Sequence, residues 1–494
     1  MIIHNAHFYI DGSFDNSIKA IKVENGLISQ LLENIPAQLD AQAIDLNGGF
    51  AYPGFIDCHT HSISGGIYTL GVDLEACPNI ATLKAKISNH AKQQPHSALI
   101  FAWNFDENSL AEKRFPTQRE IDELCPDQLL LLRRVDGHSC MLSSNARAMI
   151  TALKSKDAIL TGAENDLVTN WFHAQLDDET VMKAYQSAAK VAMKGGFTTV
   201  HTMIGDAEMS IDHFKMLQKR LDELPIEYIL YPQSFNIEAA LEAGSPRIGG
   251  CILADGSVGS HTAALSQPYQ DKATRGALYK TDDFWKEFIT KAHENKLQVA
   301  VHCIGDMAIK QINDVYLELQ KANPQDLRHQ LIHCELCSDE LISQIKASQA
   351  VPVMQSAFDL YWGNPKGLYE QRLGSARAKQ MNRFASLINS GIPVCGSSDW
   401  YVTPMNIAMS VHALIHHHNP LERISAQEAI DIYTKNSARL SHDEMRLGRL
   451  QPGFQADLSV LNADLTKPFD YQAVRTQYIV KKGMQVYAYT PNCS

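Results

Sequence analysis

The sequence predicts an α/β protein built on a (β/α)8 barrel, with a small β-sandwich assembled from both termini and an inserted subdomain. Three observations carry this reading. From about residue 180, helical and strand patterns alternate, which is the mark of a parallel sheet, either a barrel or a doubly wound one. Strand candidates after Pro53 begin near residues 54, 98, 129, 197, 226, 249, 297, 329, 351 and 392, two more than a barrel needs. The pair near 98 and 129 lies among long, irregular connections, so residues 65–179 read as an insertion after the first strand, which leaves eight strands in order. The two ends, finally, differ from the middle.

Residues 1–52 read as short alternating strands with turns at Asp11-Gly12, Asn25-Gly26 and Asn47-Gly48, and residues 448–494 resume that style. Paired, they make the composite sandwich, and Tyr52-Pro53-Gly54 and Gln451-Pro452-Gly453 mark its joins to a barrel of residues 53–64 and 180–447. Within the barrel, apolar residues at 284, 285, 288, 289 and 292 form one face of a helix over Thr281–Asn295, and the strand Leu297–His302 follows. A second helix is expected from Ala376 to Ser390, ended by Gly391, before the strand Ile392–Gly396. Ser425-Ala-Gln-Glu428 is a capping box that opens a helix near the C-terminal join.

Composition excludes several functions. Of 494 residues 45% are hydrophobic and 20% charged, a globular balance that rules out disordered or fibrous chains. A net charge of −11 opposes duplex binding, which needs a basic footprint. No apolar run reaches the length that spans a bilayer, and Met1-Ile-Ile-His lacks the basic head and apolar stretch of a signal peptide. The ten cysteines are scattered and read as reduced thiols, Cys334 and Cys337 included, so a cytoplasmic location is expected. The expected partner is a small-molecule substrate, without nucleic acid or membrane; a homo-oligomer is compatible with the sequence.

The chemistry is concentrated at strand ends. In Pro53-Gly-Phe-Ile-Asp-Cys-His-Thr-His61 alternation puts His59 and His61 on one face, where they can grip one metal ion. With 20 histidines, chance alone yields about one His-x-His, and a second indeed occurs at His416 and His418, at the end of an expected helix, where it reads as a solvated or capping cluster. Context separates the first. His302 ends the fifth strand, His333 the sixth and Asp399 the eighth, and barrel strand ends converge on the C-terminal face where active sites are built. Cys58, Cys303 and Cys334 neighbour these histidines, and alternation sends them to the opposite face as packing residues.

On these residues the sequence resembles the amidohydrolase superfamily and, within it, the amidohydrolase family 3 (YtcJ-like) group. That pattern is His-x-His on the first strand, His on the fifth and sixth and Asp on the eighth. Leu132-Arg-Arg-Val-Asp-Gly-His138, Ala254-Asp-Gly-Ser-Val-Gly-Ser-His-Thr-Ala-Ala264 and the tail Leu447–Leu458 are similar too. The resemblance implies a distorted (β/α)8 TIM barrel and one or two divalent ions, usually zinc, held by His59, His61, His302, His333 and Asp399. It also implies hydrolysis at carbonyl-type centres. Where many relatives carry a bridging, carbamylated lysine on the fourth strand, this sequence places Cys251 by register; a thiolate is a good zinc ligand. His261 stands where relatives often have arginine.

The expected function is metal-dependent hydrolysis of a non-peptide C–N bond in an amide or N-acyl compound, with Asp399 moving the proton and His333 ligating an ion or bonding the oxyanion. Heterocycle deamination and lactone hydrolysis use the same set, and a non-catalytic scaffold is the rival from another class. Asp136, His138, Asp255, His261 and Trp400 are the expected substrate contacts, and the insertion is expected to wall the site as a lid.

Overall fold

A computed structural model describes residues 1–75, 77–94, 99–135, 139–205 and 211–490. The chain divides into two compact units, one of residues Met1–Ser62 with Ala189–Ser494 and one of Ile63–Ala188. In the first lie eight parallel strands: β1 (Phe55–Thr60), β2 (Phe197–Ile204), β3 (Glu227–Pro232), β4 (Arg247–Leu253), β5 (Gln298–Cys303), β6 (Gln330–His333), β7 (Val351–Gln355) and β8 (Cys395–Ser397). All start within a few residues of their expected positions. They pair as β3-β2-β1 and as β4-β5-β6-β7-β8. Just past β8, Asp399 N donates to His59 O (3.0 Å) and His61 N donates to Trp400 O (2.6 Å), which joins the ends of β8 and β1. Their residues are nearly all buried, as parallel strands covered by helices must be.

Strands from both ends of the chain hydrogen-bond in one eight-stranded sheet. Its order runs Met484–Ala488, Thr476–Lys481, Leu458–Leu461, Ile44–Pro53, Ile2–Ile10, Ala20–Glu24 and Leu27–Leu32, with Ser13–Asp15 paired to Ile2–Ile10. Two of the expected turns close hairpins through paired positive φ angles, 46° and 97° at Asp11-Gly12 and 53° and 76° at Asn25-Gly26. The third, Asn47-Gly48, is a bulge inside Ile44–Pro53, because the parallel register against Ile2–Ile10 shifts there and the strand runs on.

The helix expected over 281–295 spans Asp282–Glu294, and Thr281 Oγ1 accepts from Phe284 N (3.2 Å) as its N-cap. The Ser425–Glu428 capping box forms. The helix expected over 376–390 is broken into Ser375–Ala378 and Phe384–Asn389. Asn382 between them takes φ +54° and donates its backbone N–H to Glu335 O (2.8 Å), a tertiary bond that a continuous helix would forfeit.

The second unit has its own sheet, ordered Leu160–Thr161, Ser139–Leu142, Leu129–Arg134, Leu99–Phe105 and Val72–Asp73. Helix Ile80–Gln93 buries Leu83 and Ile87 with Phe105, Leu130 and Leu132. No helix among the described residues is long and apolar enough to cross a membrane.

A buried ion network ties the terminal sheet to β3. Lys481 Nζ reaches Glu227 Oε2 (2.9 Å) and Asp457 Oδ2 (2.7 Å), and Arg446 pairs with Glu227 as well. Burial would raise the Glu227 carboxyl, but Lys481 and Arg446 outweigh it and hold the group well below the carboxylate range. Its folded value is thus the lower one, so its contribution is fully present above the unfolded value of about 4.3 and is lost as pH falls. Lys481→Met takes the lysine cation from Asp457 and leaves Glu227 with Arg446 alone, and should cost about 3 kcal/mol at neutral pH. Thermal unfolding should show the gap to wild type narrowing as the pH drops through the carboxylate range; a gap independent of pH would count against the network.

Candidate metal centre

Each strand end delivers its residue for a local reason. His59 and His61 alternate along β1 to one side, while Cys58 turns away and its thiol meets Ser437 Oγ (2.9 Å). Cys251 arrives through a bulge. Gly249 and Gly250 take φ +94° and +101°, and the register with β5 slips between Gly249 and Ile252. A Cβ at Gly249 would overlap Ala300 O, so glycine is required there to re-aim the next side chain. The ligand atoms of His59, His61 and Cys251 lie within 4.8 Å of one another.

Asp399 closes the group. Its Oδ1 is 3.4 Å from His59 Nε2 and 3.2 Å from His61 Nε2, and its φ of +55° is a strained value for a non-glycine residue. His333 (φ +71°) and Cys334 (φ +49°) share that strain at the end of β6. The His333 ring lies 5.6 Å from His59 and 4.4 Å from His302, centroid to centroid.

Hydrogen bonds fix which nitrogen each ring presents. Ser397 Oγ donates to Met354 O (3.3 Å) and accepts from Gln355 Nε2 (2.9 Å), which leaves Gln355 Oε1 to accept from His333 Nδ1 (2.7 Å). His333 therefore turns Nε2 inward. His302 uses Nε2 on Gly256 O (3.3 Å) and keeps Nδ1 for the centre. Such partners set tautomer and aim in metal sites.

The electrostatics follow from the crowding. Burial alone would raise the Cys251 thiol, but the imidazoles of His302, His333, His59 and His61 outweigh it and hold it well below the thiol range. Asp399 is likewise held well below the carboxylate range by His59 and His61 against its burial. Burial pulls the imidazoles down; Asp399 and Cys251 nonetheless push His61 up to about 10 and raise His59, and Cys251 pushes His302 up to about 9. His333 is lowered by burial and by the neighbouring His302 charge.

These residues fit a divalent cation. His59 Nδ1 and Nε2, His302 Nδ1 and Asp399 Oδ1 are buried without a hydrogen-bond partner, where nearly all buried polar atoms have one. An N, S and O donor set of this kind coordinates borderline metals.

Other expected contacts fare differently. Asp255 is fully buried: its oxygens accept from Ala264 N (2.8 Å), Ile304 N (3.0 Å) and Gly305 N (2.8 Å), so it staples the loops after β4 and β5, and Oδ1 lies 3.8 Å from His302 Nε2. His261 spends Nε2 on Asp271 Oδ1 (3.0 Å), which Arg372 also pairs, so its ring is committed within its own loop. Trp400 borders β1 through its backbone and is largely buried. Asp136 and His138 lie outside the described residues. Cys334 and Cys337, expected as unrelated thiols, bring their sulfurs to 3.3 Å. Of the second His-x-His, His416 sits exposed at a helix end, but His418 is turned onto buried Asp359.

Sequence reasoning missed Gln355 and Asp57. A polar residue ending the apolar run Val351–Gln355 was the available signal for the first. Asp57 Oδ1 accepts from Ser398 N (3.0 Å) and His59 N (3.3 Å), binding both ligand segments, and burial pushes its carboxyl up to about 6.

Alternating strands and helices with a histidine-rich centre at the strand ends define a metal-dependent hydrolase, a hydrolytic enzyme that acts on small molecules with a divalent metal. Residues 42–487 match the profile of the amidohydrolase family, and the chain belongs to that family. Among relatives, it is 26% identical to YtcJ of Bacillus subtilis, described as an amidohydrolase, with 94% of each chain covered. It is 22% identical to the N-substituted formamide deformylase of Arthrobacter pascens, over 86% of this chain and 85% of that one. Among solved structures, a metal-dependent hydrolase from Pyrococcus furiosus superposes with a TM-score of 0.79 at 25% identity, covering 94% of this chain and 99% of that one.

The bulge is testable. Gly249→Ala should destabilise the fold by about 1–3 kcal/mol, the usual strain of a forbidden backbone conformation, and lower divalent-metal content per folded chain. Denaturant unfolding and elemental analysis read the two effects; wild-type metal content would mean that the bulge does not aim Cys251.

Proposed function

We propose that the protein hydrolyses a non-peptide carbon–nitrogen bond in an amide or N-acyl small molecule, with Zn2+ held by His59, His61, His302, His333, Asp399 and Cys251. The observation that carries this reading is the gathering of His59, His61 and Cys251 within 4.8 Å beside a buried Asp399. The deformylase relative, whose name states cleavage of an N-substituted formamide, supports the choice of bond. In this reading residues 53–64 and 180–447 are the catalytic (β/α)8 barrel, residues 1–52 and 448–494 a composite sandwich and residues 65–179 an insertion.

When bound, the ion lowers the pKa of water toward 7 and polarises the scissile carbonyl. The protein's own groups do the rest. Asp399 accepts the proton of the attacking water at a carboxylate oxygen and returns it to the leaving nitrogen. His333, fixed by Gln355, points Nε2 at the developing oxyanion or at an ion. The Cys251 thiolate contributes the second negative charge of the donor set, in the place that a bridging carboxylate occupies in relatives.

Asp399→Asn should fold and bind metal yet lose at least about a hundredfold in kcat. Turnover near wild type in metal-replete Asp399→Asn would remove this residue from proton transfer. Cys251→Ser should lower zinc stoichiometry toward one ion per chain if two are bound, since a hydroxyl is a far weaker ligand than a thiolate. Unchanged stoichiometry and rate would assign Cys251 to packing. A screen of formamides, N-acyl compounds, lactones and aminopurines on zinc-loaded protein tests the bond class; turnover confined to lactones or aminopurines would overturn it.

A further inference from the structure

Away from this centre, three more metal-type donors converge. Asp359 sits on helix Ser356–Trp362, which follows β7, and His417 and His418 lie just beyond helix Ile407–Ile415. Asp359 Oδ1 is 3.1 Å from His417 Nε2 and is bonded to His418 Nδ1, while Asp359 Oδ2 accepts from His418 N (2.9 Å). Asp359 and His417 are buried and His418 is half-buried. We propose that Asp359, His417 and His418 form a second metal site that takes a divalent cation of the zinc class.

Four features support the site. First, tetrahedral zinc with bonds of about 2.0–2.1 Å sets its donors roughly 3.3 Å apart; Asp359 Oδ1 and His417 Nε2 stand near that spacing, and the hydrogen bond between Asp359 and His418 Nδ1 opens to admit the ion. Second, His417 Nε2 is buried and makes no hydrogen bond, an expense that coordination would remove. Third, a Cβ at Gly363 would overlap both Asp359 Oδ1 and His418 Nδ1, so the glycine leaves clear the space beside the donors. Fourth, two imidazoles and one carboxylate are the ligand types of zinc sites with three protein donors, which leave a fourth position for water. Coordination through His417 Nε2 requires the ring proton on Nδ1, at the expense of the bond that Nδ1 accepts from Asn419 N (3.1 Å). Asn419 is half-buried, so water can take over that amide.

The ion would pin two elements that the sequence leaves apart. Helix Ser356–Trp362 also carries Phe358, whose ring stacks on His333 at 6.0 Å and 17°. Holding Asp359 therefore steadies the support behind a histidine of the first centre, although none of the three donors belongs to that centre.

Zinc counting on the full chain separates the two sites. In a His59→Ala, His61→Ala, Cys251→Ala background, which removes the three clustered donors of the first centre, protein passed over chelating resin should keep about one zinc per chain. Adding His417→Ala and His418→Ala should take that to below about 0.2. Asp359→Asn, nearly identical in shape, should weaken the retained zinc at least about tenfold in chelator competition while circular dichroism stays native. Cobalt substitution should give visible absorption bands that disappear in the same variants. The proposal is overturned if the His59→Ala, His61→Ala, Cys251→Ala protein holds no zinc. It is equally overturned if Asp359→Asn keeps zinc as tightly as its parent; the cluster would then be an Asp–His hydrogen-bond network. Neither outcome bears on which bond the first centre hydrolyses.

Discussion

Everything at the strand ends depends on holding the Cys251 thiol and the Asp399 carboxylate against four imidazoles in a largely buried place. Buried charge is expensive unless it is met by opposite charge at close range. Cys251 and Asp399 face each other through His59 and His61, so neither anion is left alone. The same crowding draws protons onto the rings, and a divalent cation competes for those positions, which couples metal affinity to pH. The donors are set so close that a small change in any strand end is felt by all of them.

That closeness is imposed by backbone. Left-handed φ values at His333, Cys334 and Asp399, and the double-glycine bulge before Cys251, are uncommon backbone conformations gathered at the strand ends. They persist because other bonds determine the geometry. Asp57 ties the segment after β8 to β1, Asp255 gathers three amides from two loops, and Gln355 links His333 to Ser397. Two of these three are carboxylates beside the candidate centre that accept mainly from backbone amides, with Asp255 also 3.8 Å from His302 Nε2. A carboxylate in such surroundings is therefore no sign of acid–base work until its partners are counted.

Sequence reading reaches what is periodic and fails where tertiary partners decide. The eight strands, the His59–His61 pair and the positions of His302, His333 and Asp399 at later strand ends all follow from alternation and register, because a strand end fixes a side chain's direction. The bulge that delivers Cys251 was hidden, since Gly249-Gly250 carries no periodic signal. Nothing in the sequence shows that three amides converge on Asp255. The helix broken at Asn382 and the pairing of His418 with Asp359 fail for the same reason: each rests on a residue at least 40 positions away along the chain.

The terminal sheet imposes a waiting time on the newborn chain. Ile44–Pro53 is flanked on one side by Ile2–Ile10, made early, and on the other by Leu458–Leu461, in which Ser459 faces Tyr52. At about 5–20 residues per second, ribosomes need roughly 20–80 s to supply that neighbour. Until then an apolar strand stands with an open edge, the template on which chains join one another. Nascent chains of this protein therefore carry that open edge for as long as the barrel is being made, and a ribosome that stalls shortly before Leu458 leaves a product with the barrel strands synthesised and a sticky margin beside them.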